Sequence, residues 1–220
     1  MTSIFKYLTE EAHAVALIER GEIWLKPLAA FREMEDGGVR GDASDGKLQY
    51  APGPILEITK ESGEVVQLPG YRFTSAAKAE DIFVYCVSGS LTKELAAEFH
   101  SPFCVEIKDP VRLLSRIRSH VRLRSKLDQQ IYHGAVEYRK LETVPVIDWA
   151  LPERIAFMKS EDYARQDECR IVLGKKGAFA VENVDLQLEA GTASAATGKA
   201  HEPLVLKLGD LSRICELHRF

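Results

Sequence analysis

A group of polar side chains stands where an apolar segment begins, in the sequence RQDECRIVLG at residues 165–174. Residues 171–173 are aliphatic and predict the centre of a buried β-strand. Because alternate residues of a strand point to the same side, Gln166, Glu168 and Arg170 should project together from one face. A carboxylate beside an amide can accept a hydrogen bond from a sugar hydroxyl and stabilise the positive charge that develops at an anomeric carbon.

The guanidinium on this face should influence the protonation state of the neighbouring carboxyl group. Arg170 would lower the pKa of Glu168 and keep it ionised. We expect the group at an open strand edge, where a substrate can reach it. The other interpretation is a polar strand end held together by an ion pair, because the spacing Q-x-E is common by itself.

Two serines end the apolar segment IFVYCVSGS. Small hydroxyl groups and open backbone at the end of a strand can bind a polar ligand, which makes Ser88 and Ser90 candidates. The alternative is an ordinary connection from strand to helix, with Ser90 as the N-cap of the helix that follows.

The segment FREMEDGGVRGDASDG at residues 31–46 is rich in glycine and charge and has no apolar period, so we predict a loop. Arg40 and exposed backbone amides in it could bind phosphate. Asp42 and Asp45 could bind a divalent ion, but they lack the ligand spacing of an EF-hand. A solvated turn is the alternative, although long loops in compact domains are often functional.

Residues 111–127 predict a helix with one apolar and one basic face. The apolar stripe is formed by Val111, Leu114, Ile117 and Val121 at helical spacing. The remaining positions carry six cations, a face suited to phosphates: Arg112, Arg116, Arg118, Arg122, Arg124 and Lys126. In a chain of net charge −4 this concentration is local. The alternative is a solvated helix whose cations pair with acids elsewhere.

The composition indicates a globular protein, with 45% hydrophobic and 28% charged residues among 220. No segment approaches the roughly 20 apolar residues of a membrane-spanning helix, so we expect no membrane partner. Four widely spaced cysteines in apolar stretches indicate structural thiols and a reducing compartment, and we predict a cytoplasmic protein. The histidines form no metal-binding pattern, and we expect no metal.

The order of segments predicts one α+β domain over residues 1–220, with mixed or antiparallel sheets and three or four helices. Strands are predicted at 3–8, 22–27, 54–60, 64–75, 81–90, 102–109, 135–141, 167–174, 178–183 and 204–209. Helices are predicted at 9–21, 91–100 and 109–131, with a helical or mixed segment at 151–164. Residues 189–203 are small and polar and predict a mobile surface loop.

Three segments together resemble the DUF2971 family of bacterial proteins of uncharacterised function. They are FKYLTEEAHAVALIERGEIWLKPLAAFRE, VYCVSGS and RQDECRIVL, and the resemblance extends to about residue 175. The chain departs from the family pattern at two places. Arg32 and Glu33 stand where the family has Asn-Asp, and Gln166 replaces the first acidic residue of the last motif.

The same layout resembles the ADP-ribosyltransferase fold. Those enzymes carry a polar or basic residue on the first strand, a hydroxyl group at the end of a middle strand, and Q/E-x-E at the head of a late strand. The resemblance assigns Lys6 or Tyr7 to the first role, although neither is the usual Arg or His. It assigns Ser88 to the second role, and Gln166 with Glu168 to the third.

This resemblance implies an NAD-dependent ADP-ribosyltransferase, of the kind found among toxins and phage-defence effectors. Glu168 would hold the nicotinamide ribose and Gln166 would orient the acceptor. The NAD-binding residues would be Lys6, Tyr7, Ser88, Arg40 and Arg170. The acceptor would be nucleic acid or protein, with phosphate contacts from Arg116, Arg118, Arg122 and Arg124, and an antitoxin or immunity protein is a further expected partner. The alternatives are a non-catalytic nucleic-acid-binding or phosphate-binding module, and an NAD glycohydrolase or nuclease on the same scaffold.

Overall fold

The computed structural model describes residues 3–32, 41–42, 44–190 and 201–220. Within them the α-helices are α1 Glu11–Arg20, α2 Leu28–Arg32, α3 Lys93–Glu98, α4 Pro110–Val121 and α5 Pro152–Ile155. Short 3₁₀ segments lie at Ala79–Asp81, Ile147–Ala150, Glu161–Gln166 and Val181–Asn183. The first strands are β1 Ile4–Leu8, β2 Glu22–Pro27, β3 Lys47–Tyr50, β4 Ile55–Thr59, β5 Val65–Pro69, β6 Tyr71–Ala77, β7 Ile82–Ser88 and β8 Phe103–Ile107. The later strands are β9 Tyr132–Ala135, β10 Glu137–Arg139, β11 Met158–Ser160, β12 Glu168–Gly174, β13 Val184–Ala190, β14 Leu204–Lys207 and β15 Cys215–Arg219.

The largest sheet has eight antiparallel strands and confirms the predicted α+β class. Its main path is β14-β2-β7-β1-β8-β15, and β12 joins it by pairing with β7 on one side and β9 on the other. Smaller sheets are β13-β6-β3, the hairpin β4-β5 and the parallel pair β10-β11. Strand β12 lies between two strands with layers packed on both faces of the sheet, and all seven of its residues are buried.

The main sheet divides along one edge of β7. Phe5 of β1 pairs with Ser88 at the end of β7, whereas Lys26 of β2 pairs with Val84 nearer its beginning. In the described strands no pairing joins residues 85–87 to β1 or β2, so these two strands diverge there. The candidate site lies at the gap between β1 and β2.

Two apolar layers cover the two faces of this sheet. Residues that alternate along β7 and β12, such as Tyr85 and Ile171, pack with α1 and α4. The residues between them, such as Val84 and Val172, pack with α2 and α5. This alternation is the period of two that a strand buried on both faces requires.

Helix α1 ends as the sequence predicts, at Gly21. This residue has a positive φ of 58°, and its backbone N–H bonds to the carbonyl oxygen of Ala16. A Cβ atom at this position would lie 2.3 Å from the carbonyl oxygen of Gly209. Any other residue would therefore push apart α1 and the turn after β14.

Helix α4 is shorter than predicted and buries a different stripe. It begins at Pro110 behind the side-chain cap of Asp109, as expected, but ends at Val121. The buried stripe contains Leu113, which is fully buried, and does not contain the predicted Val111, which is 75% exposed. The cations after residue 121 therefore lie on turns, where a helical period does not apply.

Other boundaries also differ from the predictions. Residues 178–183 form turns and a 3₁₀ segment, so the predicted strand there is wrong, and β13 begins at Val184. The predicted segment 64–75 is two strands, β5 and β6, which join different sheets. Strands β3, β9, β11 and β15 were not predicted, and β11 lies within the segment 151–164 that was predicted to be helical or mixed. The predicted surface loop at 189–203 begins after Ala190, and most of it lies outside the described residues.

The described residues bear on two expectations, the absence of membrane-spanning helices and the structural role of the cysteines. None of their helices combines the length and the apolar character that crossing a bilayer requires. All four cysteines are free thiols: Cys104 and Cys169 are buried, and Cys86 and Cys215 are half-buried. The prediction of structural thiols agrees with this arrangement.

Candidate functional site

A cavity of about 390 Å³ opens where β1 and β2 separate from β7. Six of the seven residues predicted for catalysis or NAD binding line it: Lys6, Tyr7, Ser88, Gln166, Glu168 and Arg170. The seventh, Arg40, lies outside the described residues. Further polar residues at the cavity are His13, Glu22, Lys26, Asp45 and Lys159. The volume falls within the usual range of small-molecule sites.

Strand register brings the predicted motifs to one level of the sheet. Glu168 at the start of β12 pairs with Ser88 at the end of β7, and Ser88 pairs with Phe5 of β1. Two residues further along β12, Arg170 pairs with Cys86 of β7. Because directly paired residues of antiparallel strands share a face, Glu168, Ser88 and Arg170 lie on the same side of the sheet.

Glu168 is held between two cations. Its Oε1 accepts a hydrogen bond from Arg170 Nε at 2.6 Å, and its Oε2 accepts one from Lys159 Nζ at 3.2 Å. Burial by itself would raise the pKa of Glu168, but Arg170 and Lys159 outweigh it and lower the pKa to about 2. The carboxylate is therefore ionised at neutral pH, as predicted. It is also 7% exposed, so the predicted open strand edge is wrong.

Asp45 completes this buried ion cluster. Its two carboxylate oxygens accept bonds from the two terminal nitrogens of Arg170 at 2.8 and 3.0 Å. Arg170 also donates to the carbonyl oxygen of Ala156 at 2.7 Å and is 1% exposed. A guanidinium with this many acceptors stays charged despite its burial. Since Arg170 occupies both oxygens of Asp45, the structure gives no support to the divalent-ion site considered for Asp42 and Asp45.

Lys159 is the site residue that the sequence analysis missed. It lies on β11, and its Nζ donates to Gln166 Oε1 at 2.9 Å as well as to Glu168. The ammonium stands 4.3 Å from the centre of the Tyr163 ring. No motif marks this lysine. Its only signal is a cation placed in an otherwise apolar stretch.

Gln166 and Ser88 were predicted to contact the acceptor and NAD, but both form hydrogen bonds within the protein. The Gln166 side chain is 4% exposed and its carbonyl oxygen accepts from Lys159, so it does not face an acceptor at the surface. Ser88 Oγ donates to the Gln166 backbone carbonyl at 2.9 Å and accepts from the Ser90 N–H. Thr92, and not Ser90, is the N-cap of α3. These bonds fix the head of β12 against the end of β7.

The two candidates on the first strand have different surroundings. Tyr7 is 8% exposed, and its hydroxyl bonds to the backbone of Ser90 and Thr92, which makes it a structural residue of the turn before α3. Burial raises its pKa. Lys6 is half-buried, its Nζ donates to the Cys86 carbonyl oxygen at 2.8 Å, and it stands 4.6 Å from the centre of the Tyr85 ring. Of the two, Lys6 is the better placed to meet a ligand in the gap beside β7.

The predicted phosphate-binding arginines separate into two pairs. Arg116 donates to the Leu208 carbonyl oxygen at 2.8 Å, and Arg124 donates to the Val205 carbonyl oxygen at 3.1 Å. Both are half-buried and hold β14 and its following turn, which is a structural role that the sequence did not predict, and their assignment to phosphates stays a prediction. Arg118 and Arg122 are exposed and remain accessible to a partner.

Strand pairing also assembles three potential metal ligands that the sequence spacing does not reveal. Glu106 of β8 pairs with Glu216 of β15, and His218 lies two residues further on. Glu106 is bonded to His218 at 3.0 Å and to the Ser3 hydroxyl at 2.7 Å, while Glu216 pairs with Lys108. Each of the three side chains is therefore already bonded to another group of the protein.

Comparisons of the chain with family models, curated proteins and solved structures found no match. The resemblances to the DUF2971 family and to ADP-ribosyltransferases therefore stay predictions.

Proposed function

We propose that this protein cleaves the bond between nicotinamide and ribose in NAD and transfers the ADP-ribosyl group, as an ADP-ribosyltransferase-like enzyme. The observation that carries the proposal is the ionised Glu168 at a cavity, in register with Ser88 and next to the gap that Lys6 borders. The known families gave no guidance here, so the proposal rests on this geometry and on the resemblance of the three motifs.

The Glu168 carboxylate is suited to the electrostatic part of this reaction. Cleavage passes through an oxocarbenium-like state, and hydrogen bonds to the 2-hydroxyl of the sugar strengthen in it. A carboxylate has about four acceptor sites, and the thiol of Cys86, Arg170 and Lys159 use three of them. One site is left for a ribose hydroxyl. Because Arg170 and Lys159 hold the carboxylate in place, this bond needs little reorganisation during the reaction.

The electrons and atoms balance with one co-substrate, a nucleophile, and without any oxidant or reductant. The electron pair of the broken bond stays on the nicotinamide nitrogen, which leaves as a neutral base. A nucleophile then forms a bond to the anomeric carbon from the other face of the ribose and gives up its proton to solvent. The arginine and lysine beside Glu168 keep it in one position and in one charge state throughout.

The surroundings of Gln166 also support a second candidate nucleophile, water. The side chain that would orient a large acceptor is buried and bonded to Lys159. A glycohydrolase reaction is therefore the second candidate, and transfer to nucleic acid or protein requires an acceptor that approaches from the mouth of the cavity. A toxin or phage-defence role, with an antitoxin or immunity partner, would follow from either reaction because both consume NAD.

We expect the purified protein to release nicotinamide from NAD. The measurement is chromatography of the products after incubation of NAD labelled in the adenine ring, alone and with RNA, DNA or cell extract. Free ADP-ribose would identify hydrolysis, and label attached to a macromolecule would identify transfer. Intact NAD in every mixture, together with no heat on titration of NAD to millimolar concentration, would contradict the proposal.

A nucleic-acid acceptor makes a separate prediction about α4 and its following turn. If Arg118 and Arg122 contact phosphates, replacing each with Gln should reduce the slope of log affinity against log salt by about one unit. Arg116→Gln should instead lower stability, because this side chain holds Leu208. The measurement is filter binding of RNA and DNA at several salt concentrations. Equal slopes for the variants and the parent would show that these arginines are only part of a solvated helix.

A further inference from the structure

The mouth of the cavity carries an aromatic side chain in an exposed position. Trp24 lines the cavity and is 51% exposed, a large fraction for an indole. Its Nε1 donates to Glu22 Oε1 at 2.9 Å, and Glu22 lies 3.7 Å from Arg20. The ring is therefore held at the rim of the cavity, where a ligand in the cavity can contact it.

A cation shares this surface. In β2 the residues Ile23, Leu25 and Pro27 are buried, so Trp24 and Lys26 project from the opposite, exposed face. Residues two apart in a strand lie about 6–7 Å apart. Lys26 also lines the cavity, and the surface thus offers a flat apolar ring next to an ammonium group. This is the chemistry that recognises a nucleotide, through base stacking and a charge on the phosphate.

We infer that Trp24 and Lys26 form the subsite for the adenosine monophosphate half of the dinucleotide. The inference rests on the proposed function, because it takes NAD as the ligand. Glu168 would face the nicotinamide ribose, and it is separated from β2 by β7. Two strand spacings amount to about 10 Å, and the divergence of β2 from β7 beside Trp24 adds to this separation. A dinucleotide would therefore have to bind in an extended conformation to reach Glu168 and Trp24 at the same time.

The subsite is tested with AMP, which contains no bond that the enzyme could cleave. The chain has two tryptophans, so the variant Trp149→Phe leaves Trp24 as the reporter. We expect AMP to quench its fluorescence, and adenosine to bind more weakly because it lacks the phosphate. Nicotinamide mononucleotide should quench less than AMP at equal concentration. Lys26→Gln should remove the difference between AMP and adenosine, and the matched variant Lys60→Gln on the exposed β4-β5 hairpin should keep it.

A second measurement does not depend on the reporter variant. Calorimetric titration of AMP into the parent protein should give an affinity that Trp24→Ala lowers by roughly 5- to 150-fold, the usual range for loss of base stacking. Trp24→Phe should recover most of it. In NAD cleavage, Trp24→Ala should raise KM and leave kcat nearly unchanged, because the indole is distant from the reacting bond.

The outcomes separate this inference from the proposed function. Binding of AMP without cleavage of NAD would overturn the proposed function and leave the nucleotide subsite standing. Cleavage of NAD with the same KM in Trp24→Ala and in the parent would overturn the subsite alone. Absence of any AMP signal up to millimolar concentration, by fluorescence and by calorimetry, would also overturn it.

Discussion

Glu168→Gln is expected to lower the rate of NAD cleavage by roughly 10²–10³-fold or more per folded molecule. Glutamine keeps the shape of the side chain and one acceptor oxygen, but it loses the charge that stabilises the developing positive ribose. The effect should appear in kcat, because the interaction strengthens only as the bond breaks. Single-turnover measurement of nicotinamide release at low temperature checks it.

This variant should also lose stability, which requires a matched control. Glutamine leaves Lys159 buried without its carboxylate partner, and breaking a buried ion pair costs about 3–5 kcal/mol. Asp148→Asn produces the same kind of defect away from the cavity, because Asp148 is buried and pairs with Arg139 and Arg154. We expect Asp148→Asn to lower stability and to keep the parental rate per folded molecule. If Glu168→Gln also keeps that rate, Glu168 serves the fold and the catalytic proposal is wrong.

Arg170→Met should have the largest effect on stability. Methionine fills similar space but leaves two buried carboxylates, those of Asp45 and Glu168, without their shared guanidinium. The expected loss is at least about 3–5 kcal/mol in the free energy of unfolding, measured by urea denaturation. Arg170→Lys should lose less, because it keeps the charge and loses only the two-pronged contact with Asp45.

The combined variant Arg170→Met with Asp45→Asn distinguishes ion pairing from simple packing. Removing the unpartnered carboxylate should restore part of the stability lost in Arg170→Met, since the two residues are coupled. Arg139→Met is the matched control, because Asp148 retains Arg154 as a partner there. If Arg170→Met stays within about 1 kcal/mol of the parent, the cluster does not stabilise the fold as argued.

The chemistry of the motif at β12 could be predicted from the sequence because it is local. Alternation along a strand places Glu168 and Arg170 on one face whatever the rest of the chain does. The predicted place of Gln166 in this alternation is wrong, because Gln166 ends the 3₁₀ segment before β12 and Asp167 turns the backbone with a φ of 44°. The ion pair between Glu168 and Arg170, the first strands and the beginning of α4 follow from the same short-range rules. The spacing of apolar residues, an N-cap and a helix-ending glycine can each be recognised within about ten residues of sequence.

The exposure of that motif could not be predicted, because it depends on which strands become neighbours. Pairing of β9 with the second edge of β12 turns an expected open edge into an interior strand. Contacts between other distant segments bring Asp45, 125 residues away, to Arg170. They also give Arg116 and Arg124 acceptors in β14 and its turn, contacts that helical spacing cannot reveal.

The sequence by itself therefore determined the α+β class and the ion pair that Glu168 and Arg170 form on one face of β12. Only the tertiary structure decided that these residues are buried, that Lys159 and Asp45 join them, and that β1 and β2 part to leave a cavity. The physical reason is that backbone propensity and side-chain alternation act between near neighbours. Burial, ion-pair partners and cavities arise where distant segments meet, and their residues carry no common spacing along the chain.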